Sequence, residues 1–216
     1  MRRKKPLELA IKQLQALGTR EVLFVLASVA LVVSIIVYGS MHSRVMINPT
    51  AYAPLLDVIA TGESRGNYKA YYGNVANNTT DITGMTVNEV LEWQTNYVAQ
   101  GSPSNAVGRY QIIQPTLLGL VDELELNGNE QFNEALQDRL AIALLERRGS
   151  IDFIKGDLTH QTFAHNLSKE WAALPRIIGD NPEASYYAGD GLNESRISSA
   201  EITAAIGQFK QFASTK

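Results

Sequence analysis

The stretch Pro54-Leu-Leu-Asp-Val-Ile-Ala-Thr-Gly-Glu-Ser-Arg-Gly-Asn-Tyr68 decides the fold, because it predicts a short helix that ends beside a carboxylate. Pro54 is tolerated in a first helical turn, and Gly62 and Gly66 mark the exit from the helix. The two glycines also leave room for a ligand beside Glu63. One apolar face is predicted from residues at helical spacing, namely Leu55, Leu56, Val58 and Ile59.

Glu63 is the candidate catalytic residue. Its predicted position is the C-terminal end of the helix, where the partial negative charge of the helix disfavours a second negative charge and raises the pKa of a carboxyl group. A general acid that works near neutral pH needs such a raised pKa. The alternative is a solvated residue at a helix end, with no chemical role.

The composition is typical of one globular domain with an added apolar segment. The chain has 216 residues, of which 45% are hydrophobic, and its mean hydropathy is -0.10. A net charge of -3, without a basic stripe interleaved with aromatic residues, argues against nucleic acid as a partner. The chain has no cysteine, which excludes disulfides, zinc–thiolate sites and a cysteine nucleophile.

Residues 22–41 are predicted to form a single transmembrane anchor. They carry no charge and no proline, and their length is close to the roughly 20 residues that cross a bilayer. The run is longer than a usual signal-peptide core, and no clear cleavage site follows it. Residues 1–21 are basic, so the positive-inside rule places them in the cytoplasm and the rest of the chain in the periplasm or at a virion membrane.

Residues 42–50 are predicted to be a tether, and residues 51–216 a mainly α domain. Further helices are predicted over residues 85–97, 116–124, 133–148, 158–174 and 199–212. Thr86 and Glu89 have the spacing of a capping box at the first of these. Residues 71–81 are rich in Tyr, Gly, Asn and Thr and are predicted to be a loop or a weak hairpin.

Motifs for several other chemistries are missing, so we predict no metal and no cofactor. The three histidines form no His-Glu-x-x-His pair, and the sequence has neither a nucleophile elbow nor a phosphate-binding P-loop. What remains is a carboxylic acid accompanied by side chains that stack on and hydrogen-bond to sugars. Tyr, Trp, Asn and Gln are plentiful between residues 67 and 111 and near Tyr186.

Four short motifs follow one another along the chain: Gly62-Glu-Ser-Arg-Gly-Asn, Gly108-Arg-Tyr-Gln-Ile-Ile, Leu167-Ser-Lys-Glu-Trp-Ala-Ala-Leu-Pro and Ser185-Tyr-Tyr-Ala-Gly. In this order they resemble the motifs of lambda-type phage endolysins, which are peptidoglycan lytic transglycosylases of the lysozyme-like superfamily. The resemblance spans residues 52–213. It implies an α+β lysozyme-like fold and peptidoglycan glycan strands as the substrate.

The resemblance also implies roles for individual residues. Glu63 matches the general acid, and Gln111 matches the cleft-lining glutamine. Tyr110 beside it is a further substrate-binding candidate. Tyr187 matches the active-site tyrosine of the late loop, and Tyr186 takes that role if the alignment shifts by one position. Two further residues are interpreted as structural ties between the active-site helix and a neighbouring segment: Ser64 and Arg109.

The role of Asp81 decides between two possible reactions, hydrolysis and transglycosylation. A hydrolase with two carboxylates needs a second group about 5 to 9.5 Å from the acid, and Asp81 is the only acidic residue between Ser64 and Thr86. Asp81 could equally cap the turn at Thr83. By resemblance, a transglycosylase needs no second carboxylate, because the C6 hydroxyl of N-acetylmuramic acid attacks its own C1 and gives a 1,6-anhydro sugar.

A third interpretation is a glycan-binding or virion structural protein that uses the same scaffold without catalysis. The predicted partners are therefore peptidoglycan strands, a lipid bilayer through residues 22–41, and possible proteins of a virion or an envelope-spanning complex.

Overall fold

The computed structural model describes residues 47–214, which fold into helices joined by irregular loops. Within this range the β structure is limited to isolated bridges, including one between Tyr71 and Asn74 where a weak hairpin was predicted. Two 3-10 helices cover Pro49–Tyr52 and Ile82–Gly84. The α-helices are α1 Ala53–Ser64, α2 Val87–Ala99, α3 Gln114–Glu123, α4 Glu134–Arg147, α5 Ser150–Lys155, α6 His160–Ser168 and α7 Ser199–Ser214.

The central helix is α1, which packs against α7 and α4. Leu55 and Ile59 on its apolar face are fully buried, as their spacing predicts. The helix ends at Arg65, whose left-handed φ of 54° closes the last turn while its N–H donates to the Ala60 carbonyl. This ending leaves Glu63 in the final turn, where the sequence predicts it.

Local capping fixes the starts of the next helices. At α2 the Thr86 hydroxyl accepts from the Glu89 N–H, and the Glu89 carboxylate accepts from the Thr86 N–H at 2.7 Å, so the predicted capping box is confirmed. The side chain of Asn133 caps α4 in the same way, through the Leu136 N–H at 2.9 Å.

The prediction of one helix over residues 158–174 is wrong. Helix α6 ends at Ser168, whose hydroxyl donates back to the His165 carbonyl at 2.8 Å. The chain then turns so that Trp171 is buried in the core and Ala173 faces the end of α1. Tertiary burial of the indole therefore overrides the helical pattern. The short helix α5 was also not predicted.

Residues 1–46 contain the predicted basic segment and transmembrane anchor, which lie outside the described residues and stay predictions. Within residues 47–214 the structure has no helix both long and apolar enough to cross a membrane. Residues 49 and 50, at the end of the predicted tether, are the first two residues of a 3-10 helix. That helix is capped by Asn48, whose Oδ1 accepts from the Thr50 N–H at 3.1 Å.

Candidate active site

A cleft of about 980 Å³ opens beside the C-terminal end of α1. Its walls come from segments that are far apart in the sequence and include all four motifs. The lining residues are Glu63, Arg65, 72–76, 103–104, Ala106, 110–113, Thr116, Leu144, Arg148, 169–172, Tyr187, 192–193 and Arg196.

Glu63 is partly buried at the cleft, and its Oε1 accepts a hydrogen bond of 3.0 Å from the Ala173 N–H. Burial raises the pKa of Glu63 to about 7, although the bond from Ala173 and the positive charge of Arg196 both act to lower it. The pKa is therefore shifted in the predicted direction, and the largest cause of the shift is burial. Near neutral pH the carboxyl group exists in both its acid and base forms.

Gly62 explains how α1 comes so close to the late part of the chain. A Cβ at this position would lie 2.9 Å from both the Ala173 Cβ and the Ile197 Cγ1. The carbonyl of Ala173 also accepts from the N–H groups of Arg196, at 2.8 Å, and Ile197, at 3.1 Å. Gly62 therefore lies inside the helix, at a close contact with the late part of the chain. The prediction that Gly62 marks the exit from the helix is wrong.

Ser64 and Arg109 tie α1 to the second motif, and their predicted structural role is confirmed. The buried Ser64 hydroxyl donates to the Arg109 carbonyl at 2.7 Å. The Arg109 guanidinium donates in turn to Asp57 of α1 at 2.7 Å and to the hydroxyl of Tyr110 at 2.8 Å. The contact between α1 and the second motif therefore rests on one buried hydroxyl, that of Ser64, and on one charged group, the Arg109 guanidinium.

Gln137 holds the second motif from the other side, a role that the sequence analysis missed. Its buried side chain accepts from the Arg109 N–H at 2.8 Å and donates to the Tyr68 and Phe132 carbonyls at 3.1 Å. Gly108, with a φ of 78°, is needed here because a Cβ would collide with the Gln137 amide. The sequence signal for this role is that Gln137 is a polar residue on the apolar face of the predicted helix α4.

Gln111 lies on the cleft, as predicted. Its φ of 47° is unusual for a residue with a side chain, and its Nε2 donates to the Gly108 carbonyl at 2.9 Å. Its Oε1 has no hydrogen-bond partner among residues 47–214, so this oxygen is available to a ligand donor.

Tyr110 also borders the cleft, but its side chain is only 1% exposed. The Tyr110 hydroxyl donates to Asp138 at 2.6 Å, and burial raises its pKa. This hydroxyl is therefore engaged inside the protein and is not free to contact a ligand, contrary to the role expected from the sequence.

Of the two tyrosines in the late motif, Tyr187 lines the cleft and Tyr186 does not. The Tyr187 hydroxyl donates to the Lys169 carbonyl at 2.7 Å, which joins the third and fourth motifs. Tyr186 instead packs edge-on against His165, with ring centroids 5.8 Å apart. The geometry favours Tyr187 as the cleft tyrosine.

Asp81 does not line the cleft. It is exposed, forms a salt bridge of 2.9 Å with Lys69 and accepts from the Thr83 hydroxyl at 3.1 Å. The hydrogen bond from Lys69 is the main reason that the pKa of Asp81 is lowered. The turn-holding interpretation fits this position, and the role of second carboxylate does not.

Among the described residues, the second carboxylate in the cleft is Glu170, which the sequence analysis did not single out. Its Oε2 accepts from Arg148 Nε at 2.8 Å and lies 2.7 Å from Arg148 Nη2. Both nitrogens of Arg148 meet the same oxygen, so Glu170 is held by a charge-assisted contact on one side. In the part of the chain that the structure describes, no group of three or more metal-ligating side chains could hold an ion.

Comparison with known families identifies the class to which this fold and cleft belong. The class is that of peptidoglycan-degrading enzymes of phage type. A family model described as Endolysin matches residues 53–188, which run from the start of α1 past Tyr187. The chain belongs to the endolysin family.

Among solved structures, the chain is similar to bacteriophage lambda lysozyme complexed with a chitohexasaccharide. The two are 22% identical, the alignment covers 77% of this chain and 96% of that chain, and the TM-score is 0.45. A comparison with curated protein sequences finds no match.

Proposed function

We propose that this chain cleaves the β-1,4 bond between N-acetylmuramic acid and N-acetylglucosamine as a lytic transglycosylase, with Glu63 as the acid and then the base. Membership of the endolysin family supports peptidoglycan as the substrate. The single observation that carries the reaction type is that Glu63 is the one carboxylate, among the described residues of the cleft, without a salt bridge.

The pKa of about 7 suits Glu63 to both halves of the reaction. In the first half the protonated carboxyl donates its hydrogen to the glycosidic oxygen as the bond to C1 breaks. In the second half the resulting carboxylate removes the proton of the C6 hydroxyl while that oxygen bonds to C1. The products are a 1,6-anhydro-muramyl end and a free N-acetylglucosamine hydroxyl, and Glu63 regains its proton.

Gln111 and Tyr187 are the proposed positioning residues for the sugar. The Gln111 amide is held by the Gly108 carbonyl, which leaves its Oε1 to accept from a sugar hydroxyl or amide. Tyr187 presents a half-exposed ring on the cleft while its hydroxyl is anchored to Lys169. Groups that are held in place before the substrate binds lose little entropy on binding, which favours a defined orientation of the reacting ring.

A hydrolytic muramidase requires a second carboxylate that can act as nucleophile or activate water. Asp81 does not line the cleft, and Glu170 is paired with Arg148. These two contacts support transglycosylation over hydrolysis.

The test is mass spectrometry of the fragments that the full-length chain releases from purified peptidoglycan. The proposal predicts muramyl ends lighter by one water than reducing ends, which is the signature of the 1,6-anhydro bond. Reducing ends would show hydrolysis. Binding to the polymer without any released fragment would show a non-catalytic glycan-binding protein on the same scaffold.

We also propose that residues 22–41 anchor the enzyme in a membrane, with residues 1–21 in the cytoplasm and the catalytic domain in the periplasm or at a virion membrane. An orientation of this kind gives the cleft access to peptidoglycan, which lies outside the cytoplasm. The test is membrane fractionation followed by protease treatment of spheroplasts. A protected domain, or a chain that is washed from the membrane by high salt, would contradict the proposal.

A further inference from the structure

The cleft has an excess of positive charge, although the whole chain has a net charge of -3. Its lining contains the carboxylates Glu63 and Glu170 and four cations, namely Arg65, Arg148, Lys169 and Arg196. The positive character is therefore a local property of this surface and does not follow from the composition.

Three of these cations form no salt bridge with a described carboxylate, although the charge of Arg196 acts on Glu63. Arg148 is paired with Glu170, whereas Arg65, Lys169 and Arg196 form no salt bridge within residues 47–214. The guanidinium of Arg196 donates to the Gly62 carbonyl at 3.4 Å. The ammonium of Lys169 donates to Asn166 at 3.4 Å and lies over the Tyr186 ring, 5.9 Å from its centroid.

Two of these cations belong to backbone segments that meet the end of α1. Arg65 follows Ser64 in a left-handed conformation, with a φ of 54°, and so belongs to the same cap as the helix end that carries Glu63. Arg196 is held through its N–H, which donates to the Ala173 carbonyl at 2.8 Å. Arg65 therefore caps the helix that carries Glu63, and Arg196 is hydrogen-bonded to the residue whose N–H contacts the Glu63 carboxylate.

A neutral sugar gives no reason for three unpaired cations in a cleft. Placing like charges together costs free energy, which a bound anion recovers, and a cleft focuses the field on such a ligand. In peptidoglycan the sugars themselves are uncharged. The carboxylates are carried by the substituent on the lactyl group of each muramyl residue, either on the lactyl group itself or on its peptide stem.

We propose that Arg65, Lys169 and Arg196 bind the carboxylates carried by the muramyl substituent, so that the cleft selects acid-bearing glycan strands over neutral N-acetylglucosamine polymers. This inference rests on the proposed function, since it assigns the substrate class of the same cleft. Ion pairing at a partly exposed surface adds modest affinity and marked salt dependence.

The experiment measures binding by calorimetry with full-length protein carrying Glu63→Gln, so that turnover does not consume the ligand. Three probes are compared: chitohexaose, which has no carboxylate; glycan strands stripped of peptides by an amidase, which keep the lactyl carboxylate; and strands with intact peptide stems. We expect both carboxylate-bearing probes to bind more tightly than chitohexaose. Their affinity falls between about 50 and 300 mM salt, and that of chitohexaose does not.

Single substitutions then test the cations. Arg65→Gln or Arg196→Gln is expected to weaken binding of the carboxylate-bearing strands by about two- to fivefold and to leave chitohexaose binding unchanged. The matched control is Lys155→Gln, which removes the same charge from an exposed residue at the end of α5, away from the cleft lining. The control is expected to change neither affinity.

The two carboxylate-bearing probes locate the recognised group. Tighter binding of stripped strands than of chitohexaose assigns recognition to the lactyl carboxylate, and a further gain with intact stems adds the peptide carboxylates. Equal affinity for all three probes, or equal losses with Arg65→Gln and Lys155→Gln, would overturn the inference. Either result is independent of whether the wild-type chain releases anhydro fragments, so the failure of the inference is distinguishable from the failure of the proposed function.

Discussion

The carboxylate of Glu63 accepts a hydrogen bond from the backbone N–H of Ala173, which is 3.0 Å away in space and 110 residues later in the chain. This bond joins the first motif to the third. It also fixes one oxygen of the carboxyl group, while the other has no hydrogen-bond partner among the described residues. A single contact therefore both orients the proposed acid and leaves an oxygen for the substrate.

The same carboxyl group makes stability depend on pH. The folded-state pKa of Glu63, about 7, lies above the ordinary value of 4.5, so the folded chain holds a proton that the unfolded chain releases between these values. The contribution of Glu63 to stability is thus fully present below about pH 4.5 and is lost as the pH rises through 7. Glu63→Gln stays neutral throughout and is expected to lack this loss.

Urea unfolding of both proteins at pH 5 and pH 8 measures the effect. We expect the Gln variant to gain stability relative to the wild type between the two pH values. All other titrating groups cancel in this comparison. A stability difference that is the same at both pH values would show that Glu63 is not desolvated in the folded protein.

Ser64→Ala is expected to destabilise the fold by about 1–3 kcal/mol, because it leaves the Arg109 carbonyl without its buried donor at 2.7 Å. Chemical denaturation gives the value. Ser214→Ala is the matched control, since the Ser214 hydroxyl donates to the Lys210 carbonyl at an exposed helix end. A loss for Ser64→Ala no larger than for this control would contradict the role of Ser64 as a tie.

Gly62→Ala is expected to cost about 1–3 kcal/mol, since the added Cβ would lie 2.9 Å from Ala173 and from Ile197. Separation of these segments would also displace Glu63 from the Ala173 N–H and lower activity. Gly207→Ala provides the opposite case: no atom lies within 4 Å of its Cβ position in α7, so the better helix former is expected to stabilise by about 0.5–1 kcal/mol. Thermal unfolding would show whether the two shifts have opposite signs.

Asp81→Asn tests whether the enzyme needs Asp81 as the second carboxylate of a hydrolase, and it changes no residue of the cleft lining. Asp81 is exposed and paired with Lys69, outside the lining of the cleft. We expect the variant to release peptidoglycan fragments at the wild-type rate. A loss of activity comparable to that of a catalytic residue would restore Asp81 as the second carboxylate of a hydrolase.

Much of the helical framework is predictable from the sequence because its signals are local. The Thr86–Glu89 capping box and the Asn133 cap are complete within three residues, and the structure places helix starts at both. The prediction fails where distant residues decide. Helix α6 ends early because Trp171 is buried against the core, and no property of the segment itself requires that.

At the candidate site, too, local motifs are predictable and contacts between distant residues are not. Its sequence motifs bring Glu63, Gln111 and Tyr187 to one cleft, as expected. The orientation of Tyr110 depends on Asp138, 28 residues away, and a local pattern contains no information on this contact. The cause of the raised Glu63 pKa is likewise tertiary, since the largest contribution is burial in the folded chain.

The most direct test of the central claim compares the wild type with Glu63→Gln, both full length and both shown to be folded, for the release of soluble fragments from purified peptidoglycan at neutral pH. Because the variant cannot donate a proton from this position, we expect its rate to be lower by about 10²- to 10⁴-fold. A variant that releases fragments at the wild-type rate would contradict the assignment of Glu63 as the acid.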